Sequence, residues 1–156
     1  MPIVKHLKHL VLPFLRRRQF SIGNNNSSFI PYLLSMVFAS WVCTYLELFF
    51  TGKGIYAFPK RPLTNIFTID IRFTLIGLPL FTFFVLYSMN LMKGFLRCCF
   101  VLSMGVLMMM VELLTERIGW LTHSSQWQHS YSFFGYMIFI LTIWKFFRWC
   151  ESFSRQ

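Results

Sequence analysis

The sequence predicts an all-α, polytopic integral membrane protein with about four transmembrane helices in a small bundle. Three observations carry that expectation. Of 156 residues, 56% are hydrophobic and only 13% are charged, about half the charged share of a typical soluble domain. The mean hydropathy is +0.56. Twenty Phe and five Trp residues give the helices a bulk that lipid accommodates and a soluble surface does not. The net charge of +10 does not indicate nucleic acid, because the basic residues cluster at the ends of apolar runs. There they meet headgroups and mark cytoplasmic flanks rather than form a soluble basic face.

Residues 1–28 form a basic entry. Ile3, Leu7, Leu10, Val11 and Phe14 recur at helical spacing among Lys5, Lys8 and Arg16-Arg17-Arg18, the pattern of an amphipathic helix on an anionic leaflet. Pro13 limits its length, and the stretch around Asn24-Asn25-Asn26 is a loop. The membrane domain is expected over 29–150. Its first span, 29–50, is broken only by Glu47 and is long enough to cross about 30 Å of hydrocarbon. Gly52, Gly54, Pro59 and Pro62 then punctuate a loop. The second span, 69–92, opens with Asp70 and Arg72 and carries Pro79 in its interior, where a missing N–H and a crowding ring predict a kink.

Lys93 and Gly94 lead tightly into the third span, 95–115, which ends among Glu112, Glu116 and Arg117. Residues 118–130 form a polar loop with Trp120, His123, Trp127 and His129. The fourth span is 131–149, followed by a cytoplasmic tail over 151–156. Trp120, Trp127, Tyr131 and Trp149 are expected to anchor at the membrane interfaces. Ten basic residues fall on the side of both termini and five on the other, so both termini are expected in the cytoplasm. The four cysteines show no metal or disulfide spacing and are expected to be free thiols.

The hairpins repeat a pattern: Glu47-Leu48 precedes Gly54-Ile55-Tyr56, and Glu112-Leu113 precedes Gly119-Trp120-Leu121, with glycine seven residues after glutamate in each. Glu47, Asp70, Arg72, Glu112, Glu116 and Arg117 all fall near the same ends of their helices. They constitute a candidate polar layer, either a structural clasp or a ligand or proton site. Glu112 and Glu116 share one helix face, which predicts that one is protonated or paired with Arg72 or Arg117. His123 and His129 show no HxxxH or ExxH spacing, so no metal ligand is expected, and no cofactor. No nucleophile–base motif is present, so no catalytic residue and no enzymatic activity are expected.

Gly54–Pro59 (GIYAFP), Phe67–Phe73 (FTIDIRF), Leu78-Pro79-Leu80, the Glu112–Gly119 stretch and Trp127–Phe133 (WQHSYSF) resemble a family of small multi-pass membrane proteins of Gram-positive, often spore-forming bacteria. The resemblance covers roughly residues 40–150 and implies a bacterial cytoplasmic membrane and four or five helices. It implies no activity, because none is established for that family. The expected role is a non-enzymatic accessory or sensory component of an envelope complex, with the lipid bilayer and a membrane-protein partner or a second copy as its contacts. A small oligomeric transporter or channel using the buried carboxylates is the alternative.

Overall fold

The computed structural model describes residues 29–125 and 127–154; the basic segment expected over 1–28 and the last two residues lie outside them. Among the described residues, four helical segments are long and apolar enough to cross a membrane, Ile30–Gly52, Phe73–Leu91, Phe95–Arg117 and His129–Phe153, with mean hydropathies of 1.7, 1.6, 2.1 and 1.3. Helix α1 is Ile30–Gly52, α2 is Leu78–Leu91, α3 is Phe95–Arg117 and α4 is His129–Phe153. The fold is an all-α bundle of two helical hairpins. Helix α4 runs on past residue 149 into the segment expected as a tail, and Arg148 pairs there with Glu151 one turn later.

Most large apolar side chains face outward. Trp41, Tyr45, Leu75, Leu80, Phe95 and Ile138 are among those more than 60% exposed, as lipid-facing positions require. The buried stripe of α1 instead carries Pro31, Ser35, Ala39 and Glu47. Small residues there bring helix axes close, which raises dispersion contact where no hydrophobic driving force separates helix from lipid. Ala39, Leu86, Ile143 and Phe147 form one core cluster, and Val85, Met89, Val101 and Ile140 the next. Trp144 packs against both. The Arg97 guanidinium lies 4.4 Å from the centroid of that indole while donating to the Met89 and Met92 carbonyls, so it ties α3 to the end of α2.

Before α2 the chain widens into a π-helical segment, Phe73–Gly77. Pro79, at the start of α2 proper, lacks the N–H that a regular helix would donate. The π turn lies immediately N-terminal to it, with the Leu78 N–H reaching back to the Phe73 carbonyl. The disturbance expected at Pro79 is therefore accompanied by a wider helical turn.

At the end of the bundle opposite the described termini, α1 and α3 stop in the same way. Gly54 and Gly119 take positive φ, 68° and 73°, the left-handed conformation that ends helices and that glycine adopts without a Cβ penalty. Ile55 N–H bonds to Phe50 O, and Trp120 N–H bonds to Thr115 O, giving matching reversals. Each reversal leads to a two-residue strand, β1 (Tyr56–Ala57) and β2 (Thr122–His123), paired antiparallel with Tyr56 opposite His123. The glutamate–glycine spacing shared by the hairpins thus corresponds to equivalent structure. Lys60 donates to the Ile118 carbonyl at 2.8 Å across the loops. The connection after β1 is held by Arg61, which donates to the carbonyls of Phe58, Thr64 and Phe67.

Between α3 and α4, a Cβ at Gly105 would lie 3.1 Å from the Phe133 ring and from Met137 Cγ. Gly105→Val is expected to destabilise the bundle by about 1–3 kcal/mol through overpacking. The check is a lower thermal midpoint in detergent, beside an unchanged midpoint for Val106→Ala on the exposed face.

Candidate functional site

Glu112 is the most deeply buried ionisable carboxylate at the paired-loop end. Its side chain is 2% exposed, five residues before α3 ends. A charge in that setting needs donors, since an unpaired ion in low dielectric costs several kcal/mol. Three hydroxyl or indole groups supply them. Ser132 Oγ donates to Oε1, Trp127 Nε1 donates to Oε1 at 3.2 Å, and Tyr136 OH donates to Oε2 at 3.2 Å. Ser132 and Tyr136 lie four apart on α4, so one helix face carries both.

Two imidazoles complete the cluster. His123, in β2, reaches inward with its side chain 4% exposed; its Nε2 lies 3.2 Å from Glu112 Oε1 and its Nδ1 3.2 Å from Glu116 Oε1. His129, at the first turn of α4, places Nδ1 3.8 Å from Glu112 Oε1 and Nε2 3.6 Å from Glu116 Oε2. Neither ring nitrogen of His123 has hydrogen-bond geometry toward these oxygens, despite the short separations. Burial alone would lower the His123 pKa; the adjacent Glu112 and Glu116 carboxylates outweigh it and raise it above its ordinary value.

Aromatic rings wall the site. The Trp127 indole stacks on His123 with planes 5° apart and centroids 5.6 Å apart. Tyr56 meets both rings edge-on at 4.9 Å. Burial, and after it the charge of Glu112, pushes the Tyr56 phenol above its ordinary pKa and keeps it protonated.

The candidate layer separates into three parts. Glu112 and Glu116 come together, as their spacing implies, but their partners are His123 and His129 and not the arginines. Arg72 is committed two residues away to Asp70, 3.3 Å distant, because the turn entering the second span places that carboxylate against both its backbone N–H and its guanidinium. Arg117 projects outward at the end of α3, with no ion pair among the described residues. Glu47 is buried on α1; among the described residues it accepts from the Cys43 thiol at 3.8 Å alone, and its Oε2 has no partner. Trp127, expected as an interfacial anchor, turns inward because its N–H has a buried acceptor; Trp120, Tyr131 and Trp149 remain more than half exposed. The sequence signal for the histidines is indirect. A left-handed glycine three residues after Glu116 turns the chain back over the last turn of α3, so residues soon after it lie against Glu112 and Glu116.

No known family model, curated protein or solved structure matches the chain.

Glu112→Gln places an amide among three donors and is expected to cost about 1–3 kcal/mol, whereas Glu47→Gln, with one unpartnered oxygen already, should leave stability within about 0.5 kcal/mol. Equilibrium unfolding in mixed detergent micelles compares the two.

The raised His123 pKa also fixes the sign of a pH effect. The groups facing it are Glu112 and Glu116 of α3, His129 of α4 and Tyr56 of β1. Protonated His123 stabilises the fold fully below its ordinary value of about 6.5, and that contribution is lost as pH rises through the raised folded value. Thermal midpoints in chelator-containing buffer should therefore fall on going from acid to mildly alkaline pH, and the fall should be shallower in Glu112→Gln.

Proposed function

We propose that this chain is a non-enzymatic, sensory or accessory component of a bacterial envelope complex, and that the Glu112–Glu116–His123–His129 cluster is its ligand-sensing site. The observation that carries the reading is the way the cluster is assembled. Its groups come from α3, β2 and α4, and β2 is paired to β1 of the other hairpin. Anything bound there acts on the strand that joins the two hairpins, so occupancy is coupled to how the hairpins pack. A contact between the hairpins is where a sensor would act, because a ligand shifts an equilibrium only through differential affinity for two arrangements.

The interior favours this over transport by a single chain. Away from the cluster, the bundle is filled by Val85, Leu86, Met89, Ile140, Ile143 and Phe147, all less than 5% exposed. That core is mainly apolar; outside the cluster its buried polar groups among the described residues are Glu47 and the hydroxyls of Ser35, Thr74 and Thr82. The distribution of basic residues supports an orientation with both termini in the cytoplasm and the cluster at the outer face. The family resemblance supports a bacterial cytoplasmic membrane. Outward apolar faces on all four helices leave room for a partner's helices or a second copy.

The test pairs genetics with reconstitution. His129→Ala and Glu116→Gln, at normal membrane abundance, should reproduce the phenotype of deleting the protein. Purified wild-type protein in liposomes should leave them tight to protons and monovalent cations. Flux through wild-type protein that Glu112→Gln abolishes would replace this reading with the transporter. Full cellular function in both cluster variants would reduce the cluster to a structural clasp.

A further inference from the structure

We infer that the cluster is a binding site for a divalent transition metal ion of the zinc class, with Glu112, His123 and His129 as ligands and Glu116 as their outer carboxylate. The inference rests on the sensing role proposed above and names what is sensed.

Geometry comes first. One ligand atom from each of Glu112, His123 and His129 lies within 4.8 Å of the others. Tetrahedral zinc with metal–ligand distances near 2.0–2.1 Å has ligand–ligand edges of about 3.3 Å. Glu112 Oε1 stands 3.2 Å from His123 Nε2 and 3.8 Å from His129 Nδ1, so small side-chain adjustments bring all three donors onto one ion. Among the described residues, both nitrogens of His123, a side chain 96% buried, and Nδ1 of His129 lack a well-directed N–H···O contact, although carboxylate oxygens of Glu112 and Glu116 stand 3.2 Å from the two His123 nitrogens. His123 Nε2 and His129 Nδ1 both face Glu112 Oε1, whereas His123 Nδ1 faces Glu116.

The arrangement outside the three donors is the second observation. After assigning His123 Nε2 and His129 Nδ1 to the metal, the remaining nitrogen of each ring faces an oxygen of Glu116, Nδ1 toward Oε1 at 3.2 Å and Nε2 toward Oε2 at 3.6 Å. A single carboxylate thereby faces the outer nitrogen of both imidazoles, the position from which outer carboxylates orient histidine ligands once a metal is bound. Glu112 is likewise held by Ser132, Trp127 and Tyr136. Two imidazole nitrogens and one carboxylate suit zinc or its first-row neighbours; calcium and magnesium take oxygen donors. Three protein ligands leave a fourth position for water or for a ligand presented from outside the membrane.

The full chain, carrying an affinity tag without histidine, is purified in mild detergent, stripped with a chelator and titrated with cobalt(II) chloride, then with zinc chloride. One equivalent of cobalt per chain is expected, with the intense visible absorption of a four-coordinate N/O site, bleached by one equivalent of zinc. His129→Ala, whose side chain is more than a third exposed, should keep helical content and elution volume while losing stoichiometric binding. Glu116→Gln should retain the site with affinity lowered about 10–100-fold. A weak six-coordinate cobalt spectrum, or equal binding by wild type and His129→Ala, would overturn the assignment. The two proposals also fail separately. No stoichiometric metal alongside lost function in the cluster variants removes the metal and keeps the sensing site. Stoichiometric metal alongside full cellular function in those variants keeps the metal and removes the sensing role.

Discussion

The loop end of this protein is organised by the need to satisfy one buried carboxylate. Glu112 sits within a span and nearly out of contact with solvent, where an uncompensated charge is among the most expensive groups a bilayer protein can carry. Ser132 and Tyr136 meet it from α4, Trp127 from the connecting loop and His123 from β2. Those demands determine which face of α4 turns inward, draw Trp127 away from the interface and bring β2 alongside β1. The polar contacts replace, at this end, the cohesion that hydrophobic burial cannot provide between helices already surrounded by lipid.

The opposite end is held by different chemistry. Trp144 lies against Arg97 and both core clusters, and Tyr32 of α1 packs on Phe147 of α4 at 4.6 Å while accepting from Asn90 at the end of α2. Aromatic packing there, with a mainly apolar core through the middle, leaves the buried histidine–carboxylate contacts concentrated at the paired loops. Equivalent glycine-terminated reversals give the two hairpins a shared form, yet their glutamates have diverged in surroundings. Glu112 is richly partnered, and Glu47 has a single thiol.

The four helices were legible because uninterrupted apolar runs of bilayer length permit few alternatives once backbone groups must be satisfied internally. The hairpin ends were also legible, since Gly54 and Gly119 mark where α1 and α3 must stop. The site was half legible. Buried carboxylates stand out in an apolar chain, and the four-residue spacing of Glu112 and Glu116 placed them on one face. Their partners did not stand out. His123 and His129 sit in a polar loop, where solvated histidines are ordinary, and their inward orientation depends on a reversal at Gly119 and on pairing with a strand more than 60 residues earlier. Arg72 pairs within the layer with Asp70, two residues away, a local contact set by the turn that enters the second span. Linear spacing rules such as HxxxH see ligands on one helix and miss sites assembled by a turn.

The placement of the Glu112 partners bears on biogenesis. Ser132, Trp127, Tyr136, His123 and His129 all belong to the same hairpin as Glu112. That hairpin can therefore neutralise its own charge as it leaves the translocation machinery, without waiting for the first. Glu47 has no such company on its helix beyond Cys43, and the strand pairing that joins the halves requires both loops to have emerged. Insertion of the second hairpin as a self-sufficient unit, followed by lateral docking of the first through the paired loops, is the assembly order that the distribution of polar contacts favours.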